Sequence, residues 1–246
     1  MSDKILYPKN PIVEALVDIR IDPRLNTLPS EFEAIHTKLQ NEYPEKKARR
    51  SWETKLEIKD GAPVQTMPVD HGIDGFQFIS SDKKNICQFR MDGFTFSRLR
   101  PYERWEVFLP KCMRSWQIYK TELQPKNISR LAVRFINLIE IPSANFELSD
   151  YFVEAPHPPK SLSQELEGFL NRFVIKLNES TKAVTTTTIH GSKNKPDVTP
   201  ILFDIDVFSM VDLPIFEIEK SLTDLHDNVE KIFFESLTTK AKELFK

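Results

Sequence analysis

Glycine is scarce, with six residues in 246, and the shortage removes whole classes of function. Neither G-x-G-x-x-G nor G-x-x-x-x-G-K-[ST] occurs, so the phosphate-cradling loops of dinucleotide and P-loop nucleotide binders are missing. No G-x-S-x-G elbow exposes a serine beside a base. The two cysteines, Cys87 and Cys112, offer neither a disulfide framework nor a pair at metal-ligand spacing. No apolar run approaches the ~18 residues of a membrane span, and Met1-Ser2-Asp3-Lys4 lacks the apolar stretch of a signal peptide. A formal net charge of −2 exerts no global pull on nucleic acid or an anionic membrane. These absences lead to the expectation of a soluble, cytoplasmic protein with no cofactor and no recognisable catalytic signature.

What is present is an ordinary globular balance, 40% hydrophobic and 28% charged, in a chain long enough for a large core. From Ile12 to Ile21 apolar residues alternate with Glu14, Asp18 and Arg20, the period-2 signature of a half-buried strand. Ser30 and Glu33 form an S-x-x-E capping box that predicts a helix over about 30–42, ended by Pro44. Strands are expected at Trp52–Lys59, Phe76–Ser80, Ile86–Met91 and Phe94–Arg100, separated by Asp60-Gly61, Asp74-Gly75, Ser81-Asp82 and Asp92-Gly93 turns. A second helix covers about 103–123, with a kink or break expected at Pro110. Leu131–Ile141 is apolar at both parities and reads as a strand buried on both faces. After an irregular connection over 143–168 come strands at Phe169–Asn178, Lys182–His190 and Ile201–Val211, then a long amphipathic helix over 217–244. The fold class is α+β: a large antiparallel sheet with the three main helices packed on it. It forms one integrated domain, or two pseudo-repeated lobes joined near 143–168. The alignment of Val17-Asp18-Ile19-Arg20-Ile21 with Phe203-Asp204-Ile205-Asp206-Val207 is the hint of duplication.

Two strand faces carry chemistry. Arg134 and Asn137 stand out of place on the most apolar strand, and a charge there needs partners. Glu14, Asp18, Asp204 and Asp206 occupy the polar faces of the two other strong strands. A sheet joining all three would gather an Arg–carboxylate network, either a binding site for a protein partner or small anionic ligand, or a fold-specifying ion cluster. Arg90, Phe94, Phe96, Arg98 and Arg100 share parity and form the second candidate, an aromatic-basic platform for single-stranded nucleic acid. The competing reading has both phenylalanines under a helix and the arginines at the rim. A third possibility is a metal-assisted enzyme built on the carboxylates. Asp70-His71-Gly72-Ile73-Asp74-Gly75 reads as a turn rather than a metal loop, and His226 as a partly buried histidine bonded to backbone.

The stretches Asn10-Pro11-Ile12-Val13-Glu14-Ala15, Phe94-Thr95-Phe96-Ser97-Arg98-Leu99, Pro101-Tyr102 with Trp105-Glu106, Arg134-Phe135-Ile136-Asn137 and Leu225-His226 resemble a sporadically distributed family of uncharacterised bacterial proteins. The resemblance implies no reaction and no catalytic residue. Its patchy distribution implies mobile cassettes such as toxin–antitoxin or phage-defence loci, and a binding role there. The sequence says nothing of oligomeric state.

Overall fold

The computed structural model describes residues 7–22, 31–57, 65–142, 147–157, 159, 161, 168–189, 197–210 and 218–246. Among them a single antiparallel sheet of nine strands runs in the order β2-β3-β4-β5-β1-β6-β9-β8-β7. The strands are β1 Ile12–Arg20, β2 Glu45–Glu57, β3 Gln65–Ile79, β4 Asn85–Arg90, β5 Gly93–Leu99, β6 Arg130–Pro142, β7 Leu170–Lys176, β8 Thr181–Ile189 and β9 Val198–Ser209. Helices α1 Glu31–Leu39, α2 Trp105–Leu123, α3 Ile218–Ser236 and the short α4 Thr239–Glu243 complete the fold. The expected α+β class with a large antiparallel sheet is what forms.

One face of the sheet is covered. In β1 the odd residues Ala15, Val17 and Ile19 are fully buried, while Glu14, Leu16 and Arg20 on the other parity are only half buried. α1 packs on β3, α2 on β5, and α3 on β6 and β9. Between them lies an aromatic layer: Phe78 meets Phe89, Phe89 meets Phe94, and Phe96 meets Phe108, with ring centroids 5.2–5.3 Å apart. Each such burial contributes roughly 2–3 kcal/mol. The opposite face of the central strands carries the ionic side chains.

The strand order describes two similar paths. β1 leads through α1 to the outer edge, and β2 to β5 return inward to pair with β1 before α2. β6 leads to the other edge, and β7 to β9 return to pair with β6 before α3. The halves join where β1 pairs with β6, Val17 facing Val133. In this path β1 corresponds to β6. The aligned Asp-Ile strands, β1 and β9, therefore occupy different places, and their likeness is that of any half-buried strand.

Several boundaries differ from expectation for physical reasons. The capping pair Ser30 and Glu33 lies outside what the structure describes; the helix itself stops at Leu39. The β2–β3 ladder is far longer than expected and runs through Asp74-Gly75. The turn chemistry of Asp70-His71-Gly72 is used within β3, where Asp70 accepts the Gly72 N–H at 2.8 Å and Gly72 takes a positive φ. The register shifts opposite Arg49 to Trp52, so the segment is a bulge inside a strand. Gly75 is glycine because a Cβ there would sit 2.2 Å from the Phe89 carbonyl oxygen. Pro110 does not break α2; the helix continues because its far side is held in the aromatic layer. β6 is not buried on both faces, since Ile136 and Leu138 lie on the half-covered side. The final helix is interrupted at Leu237, and Thr238 caps α4 by accepting from Ala241 N–H. Edge strand β7 leaves Leu170, Phe173 and Val174 exposed.

Gly93 opens β5 at φ +152, where a Cβ would lie 2.2 Å from the Ile19 carbonyl oxygen. Replacing it forces β5 away from β1 at the centre of the sheet. Gly93→Ala is expected to lower the unfolding free energy by roughly 2–4 kcal/mol. Urea unfolding checks it, and a loss under about 0.5 kcal/mol would refute the close approach.

Candidate functional sites on the two faces of the sheet

The uncovered face carries a lattice in which Arg20, Arg49, Arg90, Arg130 and Arg134 interleave with Asp18, Asp74, Asp92, Asp204 and Asp206. Asp18 is its hub. It accepts from Arg90 at 2.8 Å, Thr95 Oγ1 at 2.7 Å, Arg20 at 2.9 Å and Arg130 at 3.1 Å. Arg130 donates onward to Asp206 at 2.8 Å, and Arg134 grips Asp204 through two nitrogens at 2.8 and 2.5 Å. Arg90 also binds Asp92 at 2.9 Å, and Arg49 reaches Asp74 at 3.2 Å. The register makes this arrangement: Asp18 stands beside Thr95 and Ala132, and Arg134 beside Asp206. A groove of about 660 Å³ runs over Leu16, Asp18, Arg49, Arg90, Arg130 and Arg134.

The titration of the lattice is uneven. Burial alone would raise the Asp18 pKa, but the Arg90 and Arg20 guanidinium groups and the Thr95 hydroxyl outweigh it and hold the group below the usual carboxylate value. Asp206 goes the other way. Burial, reinforced by Asp204 and Asp18, outweighs Arg130 and Arg134 and raises its pKa. The bidentate Asp204 raises that of Arg134, with Glu14 among the acids around it.

Of the expected network, the sheet brings together Glu14, Asp18, Arg134, Asp204 and Asp206. It does not bring Asn137, which has opposite parity to Arg134 and lies on the helix side, 1% exposed. The nucleic-acid platform is not assembled. Phe94 and Phe96 are fully buried and present no face to a base. Arg98, on their side, is held by the Pro101 carbonyl at 3.1 Å and by Asp82 and Asn85. Arg90 lies across the sheet on Asp18, and Arg100 is exposed beyond the end of β5. The parity argument failed because the β4–β5 turn puts Arg90 opposite Gly93 rather than in line with Phe94.

Asn137 marks a second site that residue-by-residue reading missed. On the helix side, where α2 begins and α3 crosses β6, a pocket of about 290 Å³ is walled by Tyr7, Tyr102, Trp105, Phe135, Phe233 and Phe234. The Asn137 amide nitrogen donates to the Phe203 carbonyl at 3.0 Å, and Asn137 is among the residues that line the pocket. Tyr102 is 8% exposed, and its hydroxyl has no hydrogen-bond partner among the described residues. Burial, then the carboxylates of Glu230 and Glu106, push that phenol well above its ordinary pKa. His226 is the wall's anchor: its ring stacks on Trp105 at 4.2 Å and meets Phe135 edge-on at 5.5 Å. Each of its ring nitrogens lies 3.5 Å from a carboxylate, Asp227 on one side and Glu230 on the other. Those three could hold a metal by proximity, but both imidazole nitrogens face acids on their own helix and the ring face is occupied by Trp105. The Trp105 indole in turn donates to Thr223 Oγ1 at 3.4 Å.

Of the stretches on which the family resemblance rests, Asn10-Pro11-Ile12, Tyr102, Trp105-Glu106, Phe135, Asn137 and His226 come to this pocket or its wall, whereas Phe94–Leu99 does not line it. The sequence held a signal for it, namely polar and aromatic residues scattered over distant segments, but no spacing in one segment revealed the convergence. Compared with protein-family models, curated proteins and solved structures, the chain gives no match.

The two ends of the ionic lattice should respond differently to mutation. Arg90 is 4% exposed and needs its counter-charge, so Asp18→Asn is expected to cost roughly 3–5 kcal/mol at pH 7. The Asp18 pKa is depressed in the folded state. Its contribution is therefore complete above the unfolded value of ~4 and is lost as pH falls through the folded value. The gap between variant and wild type should narrow below that pH in urea titrations, and a gap constant with pH would identify lost packing instead. Arg134, with a 41% exposed side chain, should tolerate Ala at a cost of about 1 kcal/mol or less.

Proposed function

We propose that this chain is a non-enzymatic binding protein and that the pocket beside Asn137 is its ligand site. The observation that carries the reading is the Tyr102 hydroxyl, buried without a hydrogen-bond partner among the described residues in an aromatic-walled cavity. An unpaired buried hydroxyl is destabilising by ~1–3 kcal/mol, and a few polar groups converging in an apolar concavity are the anatomy of small-ligand sites. The thiols support a binding role over a nucleophilic one: burial pushes Cys87 up to about 12 and Cys112 well above its usual value. No helix among the described residues is long and apolar enough to cross a membrane. A place in a bacterial toxin–antitoxin or phage-defence cassette rests on the family resemblance alone, and a cytoplasmic location on the composition of the sequence.

The ionic lattice favours a second reading, a docking surface for a protein partner around the half-exposed Arg134 and the Asp204 that it grips. A small anion is the weaker occupant there, because it must displace Asp204 to reach the Arg134 guanidinium.

Tyr102→Phe separates a ligand group from a structural one. Without ligand, the variant should be as stable as wild type or up to about 1 kcal/mol more stable, because the orphaned hydroxyl is gone. In a thermal-shift screen of charged and neutral aromatic fragments, compounds that stabilise wild type should lose much of their shift in the variant. A variant less stable than wild type by 1 kcal/mol or more would show that the hydroxyl serves the fold.

A further inference from the structure

We infer that edge strand β7 pairs antiparallel with β7 of a second copy of this chain, joining two nine-stranded sheets about a two-fold axis at Phe173.

β7 is the least protected strand of the sheet. Among the described residues it pairs with β8 alone, so its outer backbone N–H and C=O groups have no ladder partner there. Of the six large apolar side chains exposed among those residues, four stand on this one strand: Leu170, Phe173, Val174 and Ile175. They lie on both faces. Phe173 and Ile175 stand opposite Thr185 and Ala183, whose neighbours on β9 are the core residues Ile205 and Val207, so they are on the helix side. Leu170 and Val174 stand opposite Thr188 and Val184, on the open side. A partner laid on one face would leave the other in water. A strand added to the edge covers the flanks of both and takes up the free backbone groups as well.

The pattern along β7 suits its own copy. A two-fold axis perpendicular to the sheet keeps every residue on its own face, so each faces a residue of the same parity. Phe173 is the midpoint of the seven-residue strand, and an axis there pairs its whole length. Phe173 then meets its own copy, Asn171 meets Ile175, Arg172 meets Val174, and Leu170 meets Lys176. The Lys176 ammonium is held by Glu179 at 2.7 Å, which leaves its apolar stem for Leu170. Moving the axis to Arg172 sets that guanidinium against itself, and moving it to Val174 sets Arg172 against Lys176. Both shifts lose paired residues and place like charges directly opposite, which is destabilising.

The other edge of the sheet does not compete. The described end of β2 carries Glu45, Lys46, Lys47, Arg49 and Arg50, charged groups that an added strand would have to desolvate. Pairing of β7 with β2 would be head-to-tail and would propagate into filaments, whereas β7 on β7 closes after two copies. Seven paired residues make a small interface beside the ~800 Å² per partner of a standard one, so a dissociation constant on the order of micromolar is expected.

Sedimentation velocity from about 1 to 200 µM tests the pairing. Wild type is expected to pass from monomer to dimer across that range. Val174→Lys sets a cation against Arg172 of the second copy and should weaken the dimer by about tenfold or more. Val174→Glu sets an acid there and should leave it as tight or tighter. Position 174 is exposed, so both variants should keep the wild-type circular dichroism and melting temperature. Phe173→Cys should give a disulfide-linked dimer on mild oxidation, because the facing Cα atoms lie about 4.5–5.5 Å apart, within bridging range. The native Cys87 and Cys112 are buried and give little background. A wild type that stays monomeric at about 200 µM overturns the inference and leaves β7 to a partner of another kind. Equal weakening by both charges, which marks an apolar contact without register, overturns it too. So does a dimer that neither charge affects, or one that Phe173→Cys fails to cross-link.

Discussion

The Asp18 carboxylate joins four neighbouring strands through side chains alone. It takes Arg90 from β4, Thr95 from β5, Arg20 from its own strand and Arg130 from β6. Its position is inseparable from the packing beneath it, because Val17 and Ile19 on either side point into the core. A one-residue slip of β1 would turn the carboxylate into the aromatic layer and the valine into water. Hydrophobic burial on one face and charge pairing on the other thus specify the same register. The junction they hold, β1 on β6, is where the two halves of the sheet meet.

That junction also explains where the pocket lies. Each half ends in a helix of 19 residues laid over the central strands. The first turn of α2 meets the third turn of α3 in the Trp105–His226 stack. Two helices descending on a twisted sheet from opposite halves leave a gap at one end of their contact. The gap is closed from below by Phe135 and Asn137 of β6 and at the side by Tyr102, just past the cis Arg100–Pro101 peptide. The polar groups in it come from β6, the β5–α2 connection, α2 and α3, so the site depends on both halves being in place.

The same division governs the two sites. On the open face the arginines are saturated by aspartates in equal number, so the lattice is a means of fixing strand order and has little charge left to offer. In the pocket the Tyr102 hydroxyl, without a hydrogen-bond partner among the described residues, lies among ring faces.

Period-2 and period-3.6 patterns revealed most of the elements, because alternation in β1, β6 and β9 and the stripes of α2 and α3 record burial directly. The Arg–carboxylate lattice was legible for the same reason: polar residues on alternate positions of three strong strands must share a face if those strands are neighbours. Less was legible where a local signal has two uses. Asp70-Gly72 carries turn chemistry whether it ends a strand or bulges one, and only the β2 partner decides. Arg90 and Phe94 share parity in the chain, yet the hairpin between them places them on opposite faces. Arg134 and Asn137, three residues apart, were grouped by their oddity, although their parity already separated them.

By itself, then, the sequence determined which side chains had to leave water and with what period, and hence the elements, the fold class and the one-sided burial of β1. Strand order, the pairing of β1 with β6 and the meeting of α2 with α3 were decided only in the tertiary structure, because they depend on contacts between residues more than a hundred positions apart. The pocket belongs wholly to that second category. Trp105 and His226, Asn137 and Phe203, Tyr102 and Glu230 carry no mark of one another in the chain, and become a site only when packing brings them together.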